Sequence, residues 1–347
     1  MLKRVFGKAA GKRSAAAAAV AVIAVVAALL ARNQSVIRFF RHEAVISIAG
    51  DVLLDRGVAN AIEQNGAPWL FEGVGRIFGR DDITVANLEC PLTQARGGAL
   101  KEKRFVFKAD PENARALKSA GFDVMALANN HTMDYLSEGL DDTMEALGNA
   151  GLLYAGAGSS SAEIKPCFIE KNGVRIGIMS YSSLPPEGFM YDGGSATIAY
   201  ARAGFLDDMK AGVACAAEQC DFLLVFFHWG TEYRHDASGA QIEIARAAVD
   251  SGASAVVGAH PHVLQGKEIY NGAPIYYSLG NFVFDKQIPD GTDETIILQI
   301  TVNRSGIVDV NEIAAVINNC RPLLADTETA ARIEANIIRY SRGLSDG

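Results

Sequence analysis

The chain has 347 residues, 49% hydrophobic and 21% charged, a balance that buries a sizeable core and excludes a globally disordered chain. Its 34 Gly, 10 Pro and five Cys exclude collagen-like or Pro-rich low-complexity character and do not make a disulfide framework. A net charge of -8 argues against a general nucleic-acid binder, because neutralising phosphates takes an excess of Lys and Arg.

The charge is uneven. Residues 1–42 hold eight basic residues and no Asp or Glu, which leaves the remainder with 24 basic against 40 acidic residues, a net of -16. Within this basic head, Ala15 to Ala31 are seventeen consecutive apolar residues. A helix of that length covers about 25 Å, near the thickness of a bilayer core. The run reads as a transmembrane signal anchor, residues 15–31, behind a basic cytoplasmic segment, 1–14, and before a linker, 32–43. A cleaved signal peptide and a buried or tail-like Ala-rich segment are the alternatives. The anchor is preferred because Arg32 and Arg38 follow the run without a small-polar cleavage region. Five basic residues precede the run and three follow it, so the positive-inside bias places the body outside the cytoplasmic membrane, as a single-pass bacterial membrane protein.

From residue 44 strands and helices alternate. Val45–Ala49 reads as a strand ending in Gly50-Asp51, and Val58–Gln64 and Glu72–Phe78 read as helices. Ile83–Leu88 is a strand ending in Glu89. Pro111 opens a helix to Ala120 with Asp110 as its cap. Asp123–Ala128 is a strand ending in Asn129-Asn130-His131. Ser137 is the expected cap of a helix to Ala150. Strands Val174–Tyr181, Phe222–Phe227 and Ala255–Val257 are separated by helices Leu206–Glu218 and Ser238–Asp250. Strands Glu268–Tyr270, Ile275–Ser278, Thr295–Val302 and Ile307–Asn311 then follow without helices. The domain is set at 44–310, with 311–347 as a C-terminal extension carrying a helix, Glu328–Tyr340. An extracytoplasmic body permits disulfides, but a spacing of five on a helix sets Cys215 and Cys220 on different faces. Cys90, Cys167 and Cys320 read as buried thiols.

Five apolar strands end in GD, NLE, NNH, FHWG and AHPH. Ligands of open α/β sheets gather at the carboxyl ends of strands, so Asp51, Glu89, Asn130, His131, His228, His260 and His262 are candidates for one site. In an extended backbone His260 and His262 face the same side of Pro261. Paired imidazoles with Asp, Glu and Asn at sister strand ends suit a divalent metal, Mn, Fe or Zn. Taken singly, each residue has a plainer reading: Asp51 a helix cap, Glu89 a salt bridge, Asn130 a turn residue. Glu232, close after His228, is either a carboxylate orienting that imidazole or a solvated loop charge. Asn281 and Phe282 either shape the pocket rim or form a turn with a buried Phe.

Taken in order, GD, NLE, ANNH with a following Asp, HWG-x-E, AHPH and SLGNFVF resemble the CapA family of bacterial capsule synthesis proteins. The resemblance covers about residues 44–305. The family is associated with poly-γ-glutamate capsule biosynthesis and belongs to the calcineurin-like metallophosphoesterase fold. It implies a four-layer α/β/β/α sandwich with one or two metal ions between two sheets. By resemblance Asp51 and His262 hold the first ion, Asn130, His228 and His260 the second, and Glu89 bridges them. His131 protonates the leaving group, with Asn87, Asp134 and Glu232 as supporting residues. Two departures stand out. The wider superfamily carries Asp-x-His where this chain has Asp51-Val52-Leu53, which leaves Asp55 or Asn87 to compensate. Leu136 also stands where family members often have Gly. The expected function is a membrane-anchored capsule or poly-γ-glutamate biosynthesis protein with a phosphoesterase-like site. The alternatives are a phosphoester hydrolase unrelated to capsule, and a non-catalytic subunit of a membrane synthase or export complex.

Overall fold

The computed structural model describes residues 34–96, 105–185, 196–286 and 288–344. The basic segment and the apolar run 15–31 lie outside the described residues. Among the described residues no helix is long and apolar enough to cross a membrane. Most of the expected linker is a helix, α1 (Gln34–Arg41).

Two mixed sheets form the body. The first has the order β16-β15-β14-β1-β2-β3-β4, with β13 also paired to β1. These strands are β1 (Ala44–Val52), β2 (Ile83–Leu88), β3 (Val124–Ala126), β4 (Leu153–Ala155), β13 (Asn281–Val283), β14 (Glu294–Asn303), β15 (Gly306–Asn318) and β16 (Arg321–Leu324). The second has the order β11-β12-β10-β9-β7-β6. Its members are β6 (Cys167–Lys171), β7 (Val174–Ser182), β9 (Phe222–His228), β10 (Ala255–Ala259), β11 (Lys267–Tyr270) and β12 (Ala273–Tyr276). A short pair, β5 (Ala157–Gly158) with β8 (Thr197–Ile198), stands apart.

The side-chain alternation of β9 fixes the layers. Leu224 and Phe226 pack with Ile46, Ile48, Val85 and Val257 between the two sheets. Leu223, Val225 and Phe227 point the other way, onto α6 (Asp207–Ala217) and α7 (Gly239–Asp250) through Val213, Ile244 and Val249. The outer face of the first sheet is covered through Phe78, Leu117 and Leu140 of α3 (Gly75–Phe78), α4 (Asn113–Ala120) and α5 (Leu136–Asn149), with α2 (Gly57–Asn65) beside them. The result is the expected α/β/β/α sandwich. Strands buried on both faces need continuous apolar runs, which is why Phe222–His228 and Ile83–Leu88 read so clearly as strands.

Several expectations are corrected. The helix expected at Glu72–Phe78 is reduced to the single turn of α3, and a separate 3-10 turn, Ala67–Phe71, precedes it. Gly73 lies under β16, where a Cβ would meet the Pro322 carbonyl at 2.5 Å. Ser137 does not cap α5, which starts one residue earlier without a side-chain cap, whereas Ser238 caps α7 in a capping box with Gln241. The boundary at 310 falls inside β15, so residues 311–324 belong to the first sheet. α8 (Thr327–Tyr340) inserts Ile333 and Ile337 into the inter-sheet core and is no separate extension. All five cysteines are free, and Cys320 is only half-buried, against the expectation of a buried thiol.

Candidate metal centre

Parallel pairing brings the polar strand ends together. Asp51 of β1 lies in register with Asn87 of β2, and His228 of β9 pairs with Ala259 at the end of β10. The segment before β13 stitches the two sheets at this point: Gly280 O accepts from Asp51 N at 3.2 Å, and Leu279 N donates to Gly258 O at 3.1 Å. All the expected ligands are buried here.

The donor atoms form two overlapping triads, Asp51, Glu89 and His262, and Glu89, His228 and His260, each with atoms within 4.8 Å of one another. Glu89 Oε1 stands 3.7 Å from His228 Nε2 and 4.0 Å from His262 Nε2. Asn130 joins the second triad, its Oδ1 2.9 Å from His228 Nε2. Asn87 supports both: its Nδ2 donates to Asp51 Oδ1 at 2.7 Å and lies 3.3 Å from His228 Nδ1. Asn87 is thus spent as a donor to Asp51. Asp55 is spent outside the cluster, accepting from the amides of Arg56 and Lys108. Neither replaces the missing Asp-x-His imidazole, and Leu53 is buried in the apolar layer.

His131 sits beside the triads. Its Nδ1 is 2.8 Å from Asp134 Oδ2, an oxygen that also accepts from Phe107 N, and the Phe107 ring packs on the imidazole at 4.2 Å between centroids. Glu232 does not orient His228. It is exposed in the loop, and the His228 nitrogens face Asn87 and Asn130. His260 and His262 reach one site by another route than expected. Their backbones are not extended but left-handed, with φ of 95° and 59°, a conformation costly for residues with a Cβ and found where a site over-determines it.

Two further asparagines hold this arrangement: Asn281, which the sequence offered as a pocket-rim residue, and Asn129, which it passed over. Asn281 Oδ1 lies 2.9 Å from His262 Nδ1. Asn129 donates to Asn87 Oδ1 at 3.0 Å and accepts from His131 N at 3.0 Å. Both are polar residues at the end of a buried apolar segment, a signal the sequence carries. Phe107 carries none, because its part depends on a contact across 24 residues with His131.

The electrostatics fit a cation. Burial, and then repulsion from Asp51, push the Glu89 carboxyl well above its ordinary range. Burial draws His262 down, but Glu89 and Asp51 outweigh it and raise the imidazole to about 9. Burial, with His262 and His131, holds His260 well below the usual range, hence neutral. Among the described residues neither oxygen of Glu89 nor Nδ1 of His260 has a hydrogen-bond partner. Buried polar atoms without partners are costly. A dication coordinated by these groups would balance the buried Asp51 and Glu89 carboxyls and satisfy the orphaned atoms at once.

A two-sheet α/β/β/α protein with a buried carboxylate–imidazole cluster at its strand ends is the class these features define. Residues 45–286 match the family described as bacterial capsule synthesis protein PGA_cap, and the chain belongs to that family. It is 34% identical over 262 residues to the PGA biosynthesis protein CapA of Bacillus subtilis (strain 168), covering 75% of this chain and 68% of that protein. It is 32% identical over 276 residues to the capsule biosynthesis protein CapA of Bacillus anthracis, covering 76% and 66%. The matched segment thus spans about two thirds of each of these relatives. Among solved structures, a hypothetical protein from Thermus thermophilus overlays with a TM-score of 0.48 at 16% identity, over 78% of this chain and 98% of that one.

Proposed function

We propose that this is a membrane-anchored, extracytoplasmic protein of capsule polymer synthesis, poly-γ-glutamate by its relatives' names, whose cluster is a metal-dependent phosphoesterase-type centre. The observation that carries the reading is Glu89: a buried carboxyl with neither oxygen hydrogen-bonded among the described residues, shared by two ligand triads. Asp51 and His262 would hold one ion, Asn130, His228 and His260 a second, with Glu89 between them. Mn, Fe and Zn suit this thiolate-free donor set. A divalent ion there supplies Lewis acidity and a nucleophile at neutral pH.

The chain's own residues do the rest. Asp134 fixes His131 through Nδ1, so the proton His131 exchanges with a leaving oxygen is carried on Nε2. Asn87 and Asn281 hold Asp51, His228 and His262 in place. Leu53 favours a second reading in part. With only three protein donors, the Asp51 site holds its ion less tightly, and a protein with one firmly bound ion suits an accessory role beside membrane synthase or export subunits. The test is metal analysis of the purified full chain with hydrolysis of a p-nitrophenyl phosphodiester. Bound metal with turnover supports the hydrolase. Bound metal without turnover on this and on phosphorylated or amide-linked glutamate substrates supports the accessory. Failure to take up Mn, Fe or Zn refutes both.

A further inference from the structure

The helix that leads into the body carries an exposed aromatic pair. Phe39 and Phe40 are 59% and 73% exposed, with their rings edge-on at 5.7 Å. The next residue inward does the opposite. Arg38 is buried, its Nε 3.2 Å from Asp82 and its guanidinium donating to Arg80 O. Asp82 Oδ2 also accepts from Val45 N at 2.9 Å, and Glu43 N donates to Arg38 O at 2.9 Å. Helix α1 is therefore fastened to the starts of β1 and β2.

Basic groups gather at the end of α1 that carries the pair. Arg41 and His42 are exposed at the end of α1, and Lys171 and Arg304 are exposed on the turns beside it. Those turns meet the helix end, with His42 Nδ1 3.1 Å from Asn172 O and Arg304 Nε donating to Gly173 O at 2.6 Å. Of the acidic residues nearby, Asp82 is paired with Arg38, Glu43 is half-buried and Glu170 is exposed. A basic rim on a chain whose residues beyond 42 sum to -16 runs against the prevailing charge. In sequence, the apolar run ends at Ala31, three residues before α1 begins, a reach of about 10 Å.

We propose that α1 lies in the headgroup region of an anionic bilayer, with Phe39 and Phe40 among the acyl-chain ends and Arg41, Lys171 and Arg304 on the lipid phosphates. This rests on the anchored reading above. It fixes the orientation of the site. β1 leaves α1 at Ala44 and delivers Asp51 seven residues on, about 23 Å away. The ends of β2, β9 and β10 meet Asp51 there. The metal centre then opens away from the lipid, towards a substrate that is a soluble polymer or its soluble precursor, not a headgroup still seated in the membrane.

The test reconstitutes the full chain in phosphatidylglycerol-containing vesicles whose acyl chains carry bromine close to the headgroup. Phe40→Trp reports on α1. Phe205→Trp, at a residue 78% exposed just before α6, reports on the opposite end. The unsubstituted chain gives the background from Trp69 and Trp229. The expected result is that bromine removes most of the emission added by Phe40→Trp and leaves that of Phe205→Trp unchanged. Unquenched Phe40→Trp in vesicles that retain the protein overturns the docking while the anchor stands. It would mean that another protein or a second copy covers α1, or nothing does. Quenching of Phe205→Trp overturns the orientation. A chain that does not float with the vesicles refutes both the anchor and the docking.

Discussion

Gly50 packs against Gly280 so closely that a Cβ at position 50 would stand 1.9 Å from the Gly280 carbonyl oxygen. That oxygen also receives the amide of Asp51. The glycine before the ligand thus lets β1 lie against the segment that stitches the two sheets. Gly50→Ala is expected to push the two apart, at about 1–3 kcal/mol or somewhat more by the usual cost of overpacking. It should also lower metal uptake without touching a ligand. Chemical denaturation and metal analysis of the same preparation check both, and unchanged metal content would show that this close approach does not set the position of Asp51.

Glu89→Gln is expected to reduce bound metal more than any other single ligand change, since Glu89 belongs to both triads. Asp51→Ala and His262→Ala should empty one position, and His228→Ala and His260→Ala the other. Elemental analysis after dialysis gives the ratio for each variant. Equal losses in all five would mean a single ion and not two.

His131→Asn should leave metal content nearly unchanged and, if the centre turns over, slow a substrate with a poor leaving group by roughly 10²–10⁴. An activated leaving group needs little protonation and should be affected far less. Asp134→Asn should act in the same direction by less, because it disturbs the imidazole that Asp134 orients. Loss of metal in His131→Asn would instead make His131 a ligand.

Metal affinity should rise with pH. An ion must displace the proton on His262, raised to about 9 by Glu89 and Asp51, and burial raises the affinity of Glu89 for a proton as well. Binding therefore strengthens as pH climbs from 6 towards 9, while His260, already neutral, adds little competition. Competition titrations against a chelator at several pH values test this, corrected for the chelator's own protonation. A flat profile would show that no such proton is held by the metal-free cluster.

The strands that deliver the ligands were legible because each is an apolar run stopped by a polar residue, as in Phe222–His228. What those ends do to one another was not. His260 and His262 are brought together by left-handed backbone, which period-two reasoning does not foresee. Glu232 looked like a partner for His228 because it is near in sequence, while Asn87, far in sequence, holds that place from the facing sheet. Residues 311–324 were lost to the reading of a C-terminal helical extension. Their strand exposes polar residues such as Asn311 and Asn318, and buries only Ala315 and Ile317 fully.

That last strand bears on how the protein can be shortened. β15 pairs with β14 along its whole length, and Ile313–Val316 cover Ile297–Glu294. A chain cut after residue 310 would retain β14 with half of its edge open, next to the buried Ile296, Ile297 and Leu298. An apolar edge of that kind invites pairing between molecules. Such a fragment would contain every metal ligand and still be expected to aggregate, whereas an end beyond Tyr340 keeps β15, β16 and α8 in place to shield it.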